Sequence, residues 1–227
     1  MQRITTTILA AFLLLMGCST PLSTTNKEGR KLKYRMQLGI NKGGVVENTD
    51  LSVIPNAQVD AYSGATSKGA NASAKTIIPL GRNAVETGIE LMHNGQIFTY
   101  NDDANGFYGN RKLGVSQLMV PFAYSLGIFK RNNAEGLFQV KLGYMLQLNI
   151  LSVSDANGTL PDYSTNAFTN GVTFGVSTTP FRLSNGAKIG FYVDGYRGTQ
   201  AYEDFYNSTD FEMPGTAFVK YGIIYQF

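Results

Sequence analysis

Phe138-Gln139-Val140-Lys141-Leu142-Gly143-Tyr144-Met145-Leu146-Gln147-Leu148-Asn149-Ile150 is the stretch whose reading decides the fold. Every even-numbered position is apolar or aromatic, while the odd ones carry Gln, Lys, Gly, Met and Asn. Successive side chains of a β-strand point to opposite faces, so this is one strand with one apolar and one polar face. If the apolar face meets lipid, Lys141 must face the other way, because a lysine on the lipid face costs ~2–4 kcal/mol near the midplane.

The same alternation recurs on both sides of this stretch. Leu32, Tyr34, Met36, Leu38 and Ile40 alternate with Lys33, Arg35, Gln37, Gly39 and Asn41 in a first strand. A short second strand is read from Ala74 to Leu80, of unfixed register because Pro79 and the adjacent Ile77-Ile78 blur the period. In the third, Val85, Thr87, Ile89 and Leu91 oppose Glu86, Gly88, Glu90 and Met92, and the strand extends toward Phe98. The fourth lies within Leu113 to Phe129, with Leu118, Val120, Phe122, Tyr124, Leu126 and Ile128 on one face and Pro121 on the other, where it is expected to mark a bulge. The sixth, Phe168 to Thr178, sets Val172, Phe174 and Val176 against Gly171, Thr173, Gly175 and Ser177. The seventh, Ala187 to Tyr196, sets Ile189, Phe191 and Val193 against Lys188, Gly190, Tyr192 and Asp194. The eighth runs from Thr216 to Phe227.

Composition agrees with an all-β chain. Of 227 residues, 25 are Gly, 14 Phe and 13 Tyr, and only 15% are charged. A net charge of +3 without a basic patch argues against a nucleic-acid partner. Apart from the N-terminus no run approaches the ~18 apolar residues of a membrane helix, so a membrane-spanning form of this chain must be a closed barrel, which satisfies every backbone polar group in lipid.

The tail, Tyr221-Gly222-Ile223-Ile224-Tyr225-Gln226-Phe227, places Tyr221, Ile223, Tyr225 and Phe227 on one aromatic face and Lys220 on the other. It resembles the C-terminal insertion signal of bacterial outer-membrane β-barrels, which implies the barrel assembly machinery as a partner in biogenesis. The connections read alternately long and short. Gly43–Ser73, Asn101–Lys112, Ser152–Ala167 and Gly198–Gly215 are the long ones; Gly81-Arg82-Asn83, Lys130–Gly136 and Ser184-Asn185-Gly186 are the short ones. Outer-membrane barrels show this pattern, with long loops outside and short turns in the periplasm. The expectation is therefore an eight-stranded antiparallel transmembrane up-and-down β-barrel over residues 30–227. It resembles the small OmpA/OmpX-like and porin-like families and has both termini in the periplasm.

The N-terminus reads as a signal peptide over residues 1–17, with an apolar core from Ile8 to Met16. Leu15-Met16-Gly17-Cys18-Ser19 resembles the lipobox of bacterial lipoproteins, which implies cleavage after Gly17 and lipidation of Cys18, the single cysteine. The alternative is an ordinary signal peptide with an incidental cysteine. Residues 18–29, polar apart from Leu22, read as a tether.

A fold of this kind leaves function to its sites. Eight strands enclose a lumen only wide enough for side chains. The inward set of Lys33, Arg35, Glu86, Glu90, Lys141, Lys188, Asp194 and Lys220 is expected to pair into a plug rather than line a channel. Glu86 and Glu90 read as structural carboxylates. His93, the only histidine, falls on the outward face. Deacylating barrel enzymes carry a serine two residues from such a histidine, and here that position is Gly95. The sequence thus points to a non-catalytic barrel of structural or surface-recognition role, without cofactor or metal, in contact with outer-membrane lipid and lipopolysaccharide. Its acidic, Tyr-rich outer loops are candidates for an extracellular partner. The alternatives are a lipid-anchored soluble lipocalin-like barrel holding an apolar ligand, a narrow channel, and a lipid A-modifying enzyme. The lipocalin Gly-x-Trp motif is absent from this Trp-free chain.

Overall fold

The computed structural model describes residues 31–46, 62–102, 107–130, 136–156, 166–200 and 215–227. The proposed signal peptide, Cys18, the tether and most of the acidic last loop lie outside the described residues. The strands are β1 (Lys33–Val46), β2 (Tyr62–Leu80), β3 (Asn83–Asp102), β4 (Phe107–Lys130), β5 (Gly136–Ala156), β6 (Phe168–Arg182), β7 (Lys188–Gln200) and β8 (Gly215–Gln226). Each pairs antiparallel with its sequence neighbours, and β8 pairs with β1, so the sheet is a closed up-and-down barrel.

The seam is finished by reciprocal backbone hydrogen bonds: Tyr34 N donates to Phe227 O (2.9 Å) and Phe227 N to Tyr34 O (3.0 Å). Gly81 adopts a left-handed conformation (φ 68°), which lets a two-residue turn join β2 to β3. The β6–β7 connection closes through Leu183 N to Ala187 O (2.8 Å), with the Asn185 side chain accepting from Ala187 N (3.0 Å).

The face assignments made from alternation hold for β1 and for β3 through β8. Arg35, Gln37, Glu86, Glu90, Lys141, Asp194 and Lys220 are buried in the lumen, and Ile40, Ile89, Phe122, Leu142, Phe174 and Ile223 are exposed on the outside.

Three expectations are corrected. Tyr62 to Ser73 is strand, not loop: β2 continues there, pairing Tyr62 with Tyr100 on β3. Its outward Ala70, Ala72 and Ala74 give little contrast with inward Asn71 and Ser73, so the period is faint although the ladder is complete. Asn101–Lys112 is likewise mostly strand, with Asp102 paired to Phe107, and only 103–106 separate β3 from β4. Pro121 faces inward as expected but stays in register opposite Met145; the irregularity of the β4–β5 ladder falls between Ser116 and Gln117. Consequently one wall is taller. The β2–β3–β4–β5 ladders run on to Tyr62↔Tyr100, Asp102↔Phe107 and Arg111↔Ala156, whereas β1–β2 ends at Asn41↔Gly69 and β5–β6 at Leu148↔Phe168.

Candidate functional site

The inward positions of β3 read off the layers of the lumen in order: Ala84, Glu86, Glu90, Met92, Asn94 and Gln96. Small residues at the short-turn end give way to a charged belt. An apolar layer follows, in which Met92 packs with Met119, Met145, Tyr196 and Phe218, and the Tyr196 and Phe218 rings stack at 4.7 Å. Amides complete the column. Gln117 Nε2 donates to Asn149 Oδ1 (2.8 Å), and Thr169 Oγ1 donates to Gln147 Oε1 (2.9 Å).

In the belt, Arg35 is the strut. Its guanidinium donates to Glu86 Oε1 on β3 (2.9 Å), Gln139 Oε1 on β5 (2.7 Å) and Gln226 Oε1 on β8 (2.9 Å), tying four strands across the lumen. A planar fork with five N–H groups suits this three-way contact. Lys141 Nζ reaches Asp194 Oδ1 at 2.8 Å, and Lys220 pairs with Glu90. Both cations lie close to fully buried, and taking such charges out of water is tolerated only when they are paired.

Lys75, which the unfixed register of β2 concealed, joins them: it is buried, 3.5 Å from Glu90 Oε2 and 4.0 Å from Asp194 Oδ2. Glu86 and Glu90 therefore belong to different ion pairs. Lys33 and Lys188 are half-buried nearer the short-turn end. Thus the eight charges read from sequence do face inward, but only six of them sit in the belt, and Lys75 is the member missed.

Space for the belt's upper edge comes from paired glycines. Tyr192, Gly222, Gly39 and Asn71 form one ladder row, and the Tyr192 ring crosses both glycines to donate to Asn71 Oδ1. A Cβ on Gly39 would stand 2.4 Å from that hydroxyl and 2.3 Å from Tyr221 O, so no larger residue fits there.

On the outer wall, His93 and Ser116 face each other across the β3–β4 ladder, with His93 Nδ1 2.9 Å from Ser116 Oγ. Sequence spacing along one strand pointed to Gly95 and missed this serine, because a cross-strand neighbour is invisible until register is known. Tyr221, Ile223, Tyr225 and Phe227 share the outward face, Tyr225 and Phe227 with ring centroids 5.7 Å apart. No protein-family model and no curated protein matches the chain.

Proposed function

We propose that this chain is an integral outer-membrane barrel of bacterial type, non-catalytic in its lumen and non-conducting. Its role is structural or one of surface recognition, with the outer loops and the tall β2–β5 wall available to a partner. The observation that carries the reading is the inverted distribution of polarity. Leu142 is 64% exposed, Ile150 59%, Phe168 56% and Phe174 55%, while Arg35 and Lys220 are 1% exposed inside. An apolar surface of this extent is not left facing water. A soluble lipocalin-like barrel would place the same faces the other way round, with charge filling its ligand cavity, so the lipocalin alternative is the weaker one.

Fractionation tests the proposal. Membranes stripped of peripheral and acyl-anchored proteins should retain the chain until detergent is added; release without detergent after removal of acyl chains would refute the spanning reading. Intact-mass measurement of the same sample tests lipidation: diacyl or triacyl mass on Cys18 after loss of residues 1–17 supports it, and an unmodified cysteine or another cleavage site sinks it.

The His93–Ser116 contact favours one second reading, a lipid-modifying enzyme acting at the outer wall. A histidine accepting a serine proton is the elementary unit of nucleophilic catalysis, although the backbone N–H groups around it are committed to the ladder and leave none for an oxyanion. His93→Ala with an unchanged lipid A profile by mass spectrometry would eliminate this reading.

A further inference from the structure

Among the described residues the buried belt does not balance. Arg35, Lys75, Lys141 and Lys220 supply four cations, and Glu86, Glu90 and Asp194 supply three anions. The distances identify the surplus member. Arg35 and Lys141 hold carboxylate oxygens at 2.9 and 2.8 Å, and Lys220 pairs with Glu90 Oε1. Lys75, with three N–H donors and 6% exposure, has only Glu90 Oε2 at 3.5 Å and Asp194 Oδ2 at 4.0 Å, the latter an oxygen to which Lys141 already donates. Lys75 thus shares its counter-charges with Lys220 and Lys141 and its donor shell is not filled by them.

Two further donors stand beside it without partners. Gln37 accepts from Ser73 through Oε1, leaving its Nε2 unbonded, and Asn71 accepts from Tyr192, leaving its Nδ2 unbonded. Both residues are at least 98% buried. Gln37, Ser73 and Glu90 lie in one ladder row, with Lys75 and Asn71 on the inward positions of β2 to either side of Ser73. The surrounding field favours the same ligand charge. Lys188, Gln226, Arg35 and Lys75 make one continuous ladder row, and Lys33 lies one inward position nearer the short-turn mouth in the row of Ile77 and Glu86, so cations outnumber the single carboxylate on that side of Lys75.

We propose that the lumen binds one small monovalent anion, of which chloride is the probe, at Lys75, with the free amide N–H groups of Gln37 and Asn71 completing its shell. The site rests on the closed barrel and its register rather than on membrane location, so it stands or falls separately from the function proposed above.

The test compares folded protein in detergent micelles, thermally unfolded in sodium chloride and in sodium gluconate at equal ionic strength, as wild type, Lys75→Met, Lys75→Gln and Lys68→Met. Gluconate serves as the larger comparison anion. Chloride is expected to raise the wild-type midpoint by several degrees in a saturable way, and to do the same for Lys68→Met, whose lysine is exposed on the same strand. The increment should vanish in both Lys75 variants. Equal wild-type midpoints in the two salts would overturn the proposal even if neither Lys75 variant folds. A chloride increment that survives in Lys75→Met or Lys75→Gln would overturn it too.

Discussion

Breaking the Arg35–Glu86 pair from either side should give unequal losses. Arg35→Met preserves length and packing but leaves Glu86 buried without its 2.9 Å partner and removes the donor shared by Gln139 and Gln226. Removing one partner of a buried ion pair costs ~3–5 kcal/mol. The belt modifies that figure. Without Arg35 it holds three cations and three anions, and Lys75, which lies on the neighbouring position of the same ladder row, can turn toward Glu86; the loss belongs at the lower end, ~3 kcal/mol. Glu86→Gln moves the balance the other way, to four cations over two anions, and its loss belongs at the upper end, ~5 kcal/mol. The double variant restores the original surplus and orphans only neutral amides, so it should lose about 2 kcal/mol. The assay is equilibrium urea unfolding of the barrel in phospholipid vesicles, read from the shift between folded and unfolded bands on unheated gels and checked for an unchanged urea dependence. Losses below ~1 kcal/mol for both single variants, the value of a solvent-exposed pair, would refute a dry lumen. Arg35→Met costing more than Glu86→Gln would refute the charge surplus.

Leu142→Lys, at the most exposed apolar position of β5, should lose ~2–4 kcal/mol in vesicles by the same urea titration, and a neutral effect would count against a lipid-facing wall. Gly39→Val should lower the midpoint by ~1–3 kcal/mol and should not be rescued by Tyr192→Phe, because the backbone carbonyl of Tyr221 is the nearer obstacle. Met119→Ala, at a fully buried position in the apolar layer, should cost ~2–5 kcal/mol. In planar-bilayer recordings the wild type should show no discrete conductance steps, and resolved steps would disprove a closed plug.

The parts of the fold legible in the sequence are those where a strand has two unlike faces. β5 and β7 announce themselves because large apolar side chains alternate with Lys, Gln and Asp. The first half of β2 does not, since alanine on one face and serine or asparagine on the other differ little in hydrophobicity. The upper β3–β4 hairpin fails for a related reason. Ladder hydrogen bonds between Asn101 and Tyr108 or Thr99 and Asn110 require no apolar face, so a polar strand composed this way looks like loop. Missing β2 carried over to the site. Lys75 was hidden because its facing depends on register, and with it went the surplus of positive charge. Similarly, the His93–Ser116 contact joins positions on two strands through the β3–β4 ladder, which no spacing rule along one strand detects.

The reciprocal bonds between Tyr34 and Phe227 have a kinetic consequence. Arg35 and Gln226 are 191 residues apart, so the seam is the longest-range pairing in the sheet and carries the largest loop-closure entropy. Every other ladder can zip from a hairpin, but β1 must wait, edge open, until β8 arrives. During that interval the barrel is an unfinished sheet with two sticky borders. The time to closure, more than the stability of the closed form, therefore sets how long those two borders stay open to pairing with another chain.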